Sequence, residues 1–121
     1  MANPFVHIEL NTTDHSKAKA FYGQLFQWDL SDMDMGAHGT YTLIGVGEGT
    51  GGGMMQHPVP GAPSLWLPYV DVPDLAAATA KARELGAQII QDSVPVQDMG
   101  AFSLIVDPTG AMIGLWEAKK R

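Results

Sequence analysis

Phe5 to Leu10 alternates with a period of two, Val6, Ile8 and Leu10 on one face and His7, Glu9 and Asn11 on the other, which predicts a half-buried strand. The chain then changes period. Thr12, Thr13 and Asp14 supply N-cap chemistry, and Ala18, Phe21, Tyr22, Leu25 and Phe26 follow at helical spacing, predicting a helix that covers the apolar face of the sheet. Trp28 to Met35, Thr40 to Val46 and Gly53 to Gln56 read as three further strands. A second series repeats the order: a strand over Leu65 to Val72, Asp74 as N-cap, an alanine-rich helix over Leu75 to Leu85 stopped by Gly86, then strands over Gln88 to Gln91, Phe102 to Val106 and Met112 to Glu117. Asp107-Pro108-Thr109-Gly110 has the residues of a tight turn between the last two.

The two series match residue by residue. Asp14, Ala18, Ala20 and Leu25 recur sixty positions on as Asp74, Ala78, Ala80 and Leu85, and Tyr41 to Ile44 and Gly53 to Gln56 recur sixty-one positions on as Phe102 to Ile105 and Gly114 to Glu117. The chain is therefore read as a single domain of two β-α-β-β-β repeats, about 5–56 and 65–117, joined by the Pro/Gly-rich linker 57–64. A site shared by such repeats should draw on matched positions of each.

Composition narrows the function. The length of 121 residues suits one core, and a hydrophobic fraction of 45% with 17% charged residues is that of an ordinary globular protein. Without cysteine there is no disulfide, thiolate metal site or thiol nucleophile. A net charge of -6 argues against nucleic acid and anionic membrane surfaces as partners. The amino terminus lacks the pattern of a secretory signal, so a cytoplasmic location is expected. The uncharged stretch 51–70 is too rich in glycine and proline to be a membrane helix.

Most local motifs carry little chemistry. Gly47 to Gly52 matches a G-x-G-x-x-G string, but no helix follows it, so it reads as a loop between strands. None of the serines has a nucleophile context. His7 differs because it lies on the polar face of a strand. With the matched pair Gln56 and Glu117 it forms a His/Gln/Glu set that could converge on a divalent metal.

Val6-His7-Ile8-Glu9-Leu10 with Asp14, the Ala20-to-Trp28 helix end, Tyr69-to-Leu75, the Leu85-Gly86-Ala87 stop, and Asp107-to-Gly110 leading to Gly114-Leu115-Trp116-Glu117 together resemble the vicinal oxygen chelate superfamily, which holds glyoxalase I, the bleomycin resistance proteins and the extradiol dioxygenases. The resemblance covers nearly the whole chain. It implies an α+β fold, two β-α-β-β-β repeats forming a curved mixed sheet cup with helices outside, and a homodimer whose cleft lies near or across the interface. It also implies ligands from the first and fourth strand of each repeat, here His7, Gln56, Leu67 and Glu117. Leu67 departs from that pattern, standing seven residues before Asp74 as His7 stands seven before Asp14.

Two functions follow as expectations. In one, the cup binds a small molecule without metal, lined by Asn11, Met55, Leu67, Tyr69 and Trp66. In the other, a lyase or isomerase of the glyoxalase type holds Zn, Ni, Mn or Fe on His7, Gln56 and Glu117, and Glu117 or Glu9 moves the proton.

Overall fold

A computed structural model describes residues 3–119, apart from the side chain of His38. The elements are β1 (Phe5–Thr12), α1 (His15–Leu25), β2 (Asp29–Asp34), β3 (Thr40–Gly45), β4 (Gly52–Gln56), β5 (Leu65–Asp71), α2 (Leu75–Glu84), β6 (Gln88–Val96), β7 (Gly100–Val106) and β8 (Met112–Ala118), with one 3-10 turn at Gly36–His38. They are the strands and helices the periodicity predicts. The largest difference is β6, which continues to Val96 through two shifts of register, with Ser93 at a positive φ of 51°. Contacts divide the chain into two compact units, residues 6–67 and residues 68–119 with the segment 3–5. The boundary thus falls inside β5, a few residues past the predicted linker.

In the first unit the strand order is β2-β3-β4-β1, and β1 runs parallel to β4 while the other pairings are antiparallel. In the second the order is β6-β7-β8-β5, and β5 runs parallel to β8. The topologies are equivalent, so the internal repeat is structural.

Period-two alternation gives each sheet two faces. In the first unit Leu10, Ile44 and Met54 are buried on the face that α1 covers, packed against Ala18, Tyr22, Trp28, Leu30 and Val46. Asp14 caps α1 by accepting the Lys17 N–H at 3.0 Å, and Asp74 caps α2 by accepting the Ala77 N–H at 3.1 Å. The helix covers less than its spacing predicts. Phe21 and Leu25 are 57% and 56% exposed and Phe26 is also exposed, while Ala18 and Tyr22 are the α1 residues packed against the buried cluster.

Polar groups on the buried faces are satisfied locally. In the first unit Thr42 Oγ1 donates to Asp32 Oδ1 at 2.7 Å and lies 2.8 Å from His15 Nε2, while Lys19 pairs with Asp32 at 2.8 Å. At the matched position of the second unit Ser103 Oγ lies 2.8 Å from Thr79 Oγ1 and accepts the Ser93 N–H at 3.0 Å. That bond holds the strained Ser93 backbone. No helix among the described residues is long and apolar enough to cross a membrane.

Candidate functional site

The face of the first sheet turned away from α1 carries His7, Glu9 and Asn11 from β1, Tyr41 from β3, and Gly53 and Met55 from β4. Parallel pairing sets Glu9 beside Gly53 and Asn11 beside Met55. The polar side chains form one chain of hydrogen bonds. Tyr41 Oη donates to Glu9 Oε1 at 2.9 Å, Asn11 Nδ2 donates to Glu9 Oε2 at 3.3 Å, and His7 Nε2 lies 2.7 Å from Tyr41 Oη. A phenol has one proton. Once that proton is given to Glu9, the oxygen accepts from His7, so the imidazole carries its hydrogen on Nε2. Burial holds the His7 pKa below its ordinary value of 6.5, which keeps the ring neutral and suited to this bond.

Tyr41 reaches this point because residue 53 has no side chain. A Cβ on Gly53 would collide with Tyr41 Oη, Cζ and Cε2. The second unit also sets a tyrosine over a glycine, but from the paired parallel strand, at the position matched to Glu9 rather than to Tyr41. Tyr69 pairs with Gly114, its ring fills the space a Cβ on Gly114 would need, and its edge meets Phe102 at a centroid distance of 6.1 Å.

Gln56 and Glu117 are both engaged at helix N-termini. Gln56 is in register with Thr12, five residues along β1 from His7, a separation of roughly 16 Å along the strand. It also lies on the other face. Its Oε1 accepts the His15 N–H at 3.0 Å and its Nε2 donates to Thr13 O at 2.6 Å, which fixes the first turn of α1. Glu117 does the same for α2, its Oε1 accepting the Leu75 N–H at 2.7 Å. Helix N-termini present unpaired N–H groups and a positive partial charge, so an amide and a carboxylate are well used there. The β1–β4 register therefore puts Gln56 on the face opposite His7, and Glu117, expected as a ligand or proton-moving group, has one carboxylate oxygen on the N-terminus of α2.

The remaining expected residues divide by face. Asn11 and Met55 lie on the polar face with His7, Asn11 being buried. Leu67 and Tyr69 are buried, at 3% and 6% exposure. Trp66 does not belong with them. It packs at right angles against Tyr22 and Trp28, with centroids 5.4 and 6.3 Å away, on the helix side of the first unit. There it borders an apolar recess of about 250 Å³ lined by Ile8, Trp28, Ile44 and Val46. His57 is engaged in its own turn, its Nδ1 accepting the Val59 N–H at 3.0 Å. Tyr41 is the site residue that sequence reasoning missed. Its only signal was its place on the face opposite Thr42 and Ile44, and nothing in the sequence distinguishes such a tyrosine from a packing one.

The fit of a divalent metal follows from these donors. Among the described residues no group of three or more His, Cys, Asp or Glu gathers at one point. His7 and Glu9 are the pair on the polar face of β1, the β4 position beside them is glycine, and Tyr41 fills the intervening space. The residues present do not fit a metal centre.

The chain matches the sequence model described as Glyoxalase/Bleomycin resistance protein/Dioxygenase superfamily over residues 5–115. It belongs to that superfamily. Proteins named "Putative glyoxylase CFP32" from Mycobacterium bovis and Mycobacterium tuberculosis are 36% identical over 118 residues, covering 93% of this chain and 45% of theirs. The chain thus spans about half the length of the curated relatives it matches. Among solved structures of the superfamily fold, hypothetical protein BH1468 from Bacillus halodurans aligns with a TM-score of 0.76 at 18% identity, covering 100% of this chain and 98% of that one. Methylmalonyl-CoA epimerase from Mycobacterium tuberculosis aligns with a TM-score of 0.73 at 16% identity, covering 96% and 88%. A variant of homoprotocatechuate 2,3-dioxygenase from B. fuscum aligns with a TM-score of 0.68 at 19% identity, covering 96% of this chain and 32% of that one. At these identities the structural matches establish the α+β superfamily fold.

Proposed function

We propose that this chain is a small-molecule-binding module of the superfamily that recognises its ligand without a resident metal, through the polar face of the first repeat. The observation that carries this reading is the position of Tyr41 Oη between His7 Nε2 and Glu9 Oε1, at 2.7 and 2.9 Å. It joins the imidazole and the carboxylate into a hydrogen-bonded set that can exchange partners with a ligand's hydroxyl or carbonyl oxygen. Asn11, Met55 and Gly53 extend the same face. Support also comes from Gln56 and Glu117, whose oxygens are committed to the N-termini of α1 and α2.

The name glyoxylase borne by the mycobacterial relatives suggests a lyase or isomerase. For this chain that activity would run on His7, Tyr41 and Glu9, a reading supported by the β1–β4 register, which puts Gln56 on the face opposite His7. A homodimer belongs to the same proposal and is checked by light scattering on the purified chain.

The test is a thermal-shift screen of small oxygenated metabolites on tag-free protein, with and without chelator. A ligand that binds only the folded state raises Tm by mass action. Shifts unchanged by chelator are expected. Shifts that vanish with chelator and return with Zn, Ni or Mn would refute the metal-independent reading.

A further inference from the structure

Strand register arranges the polar face of the first repeat in rows. Glu9 on β1, Gly53 on β4, Leu43 on β3 and Ser31 on β2 stand side by side in one row. Asn11 and Met55 belong to the next, where Tyr41 pairs with Met33, and Asp29 stands at the β2 edge, paired with Gly45. Alternation turns all of these side chains away from α1. Charge on the face comes from Glu9 and Asp29. Both Glu9 oxygens accept hydrogen bonds, from Tyr41 Oη at 2.9 Å and from Asn11 Nδ2 at 3.3 Å, which is the bonding of an ionised carboxylate. The His7 imidazole beside them is held neutral by burial.

The first repeat sets no cation against these carboxylates. Residues 6–67 contain six carboxylates and two lysines, a net charge of -4 out of the chain's -6. Both lysines, Lys17 and Lys19, belong to α1, which covers the opposite face, and Lys19 is paired there with Asp32 at 2.8 Å. An alcohol or phenol brought to this face can donate its proton to a carboxylate and accept from an imidazole or an amide. An anionic oxygen can only accept, and it meets the charge of Glu9 with no positive side chain of the first repeat, among the described residues, to offset it.

Resting on the metal-independent reading of this site, we propose that the face around Tyr41 selects its ligand by charge, taking uncharged hydroxyl-bearing organic molecules and rejecting the corresponding carboxylates, phosphate esters and nucleotide-linked thioesters. Rejection is the part that the bonding groups alone do not supply, since His7, Tyr41 and Asn11 could each serve a neutral or an anionic oxygen. Glu9 supplies it. At an effective dielectric constant of about 20, like charges within about 6 Å repel strongly enough to cost at least about tenfold in affinity, even with solvent screening part of the effect.

Matched pairs test this: 4-hydroxybenzyl alcohol against 4-hydroxybenzoate, and hydroxyacetone against pyruvate, titrated by calorimetry into tag-free protein in the presence of chelator. Each alcohol is expected to bind at least about tenfold more tightly than its carboxylate, with a gap that narrows as salt is raised. Glu9→Gln, which keeps the shape and an acceptor oxygen, is expected to bring the carboxylate to within about twofold of the alcohol. Leu43→Lys is a second variant that does not depend on the first one folding. Leu43 is 37% exposed and shares a row with Glu9 two strands away, about 10 Å, within reach of a lysine side chain, and the added ammonium should strengthen carboxylate binding about tenfold. Carboxylates that bind the parent as tightly as the alcohols overturn the charge selection while leaving the metal-independent reading standing, and a gap unmoved in folded Glu9→Gln and Leu43→Lys does the same. Pairs in which neither member binds until the chelator is replaced by Zn, Ni or Mn overturn that reading and the proposal together.

Discussion

Replacing Glu117 separates its structural role from a catalytic one. Glu117 Oε1 accepts the backbone N–H of Leu75, the first residue of α2, at 2.7 Å. Leu75 is 3% exposed, so water cannot readily replace the carboxylate when the side chain is cut back. Asp74 serves the Ala77 N–H and offers no substitute. Losing a charge-assisted bond to a buried donor costs about 1.5–3 kcal/mol, and Glu117→Ala should fall near the middle, about 2 kcal/mol. For a domain of this size each kcal/mol moves Tm by about 4 °C, so a fall of about 8 °C is expected by calorimetry or circular dichroism. Glu117→Gln keeps an acceptor oxygen and loses only the attraction between the negative charge and the helix N-terminus, about 0.3–1 kcal/mol. That smaller loss should shrink in high salt. If Glu117→Ala leaves Tm unmoved, or if Glu117→Gln costs as much as Glu117→Ala, the carboxylate is not acting as a helix cap and the reasoning fails.

Gln56→Ala is expected to lower stability by about 1 kcal/mol through loss of its bonds to His15 and Thr13, measured by urea unfolding, while leaving ligand-induced thermal shifts intact. Ser103→Ala should cost about 1–3 kcal/mol, because it strips Thr79 of a hydroxyl partner and leaves the Ser93 N–H unsatisfied; calorimetry that shows no loss would contradict the buried pairing. His7 makes stability fall in acid: its folded pKa lies below 6.5, so as pH drops past 6.5 the unfolded chain takes up a proton that the native imidazole refuses. Unfolding free energies measured from pH 7 downward should show that decline in the parent and a shallower one in His7→Gln. Tyr41→Phe keeps the ring over Gly53 but removes the bonds to His7 and Glu9, and should weaken binding of any oxygenated ligand found in the screen by about tenfold or more, read by isothermal titration.

The pattern along the chain was sufficient to define the elements and their repetition. Period-two runs became β1, β3, β5 and β8, Asp14 and Asp74 cap helices where their side chains predict, and matched residues sixty and sixty-one apart occupy equivalent places in two units of the same strand order. These features are local, or copies of local features, so the sequence contains them. His7 and Glu9 also fell on the polar face as alternation requires. What alternation along one strand cannot fix is its phase against another strand. The parallel register of β1 on β4 puts Glu9 beside Gly53 and Thr12 beside Gln56, which sends Gln56 to the helix side and leaves the polar face of β4 to Gly53 and Met55. Register arises from backbone pairing and from the packing of Leu10 and Met54 under α1, interactions between segments more than forty residues apart. The same long-range placement brings Tyr41 over Gly53 and turns Trp66 toward Tyr22 and Trp28. Tertiary structure therefore decided which polar residues meet, because meeting depends on register and face, and those are set only when the strands pair.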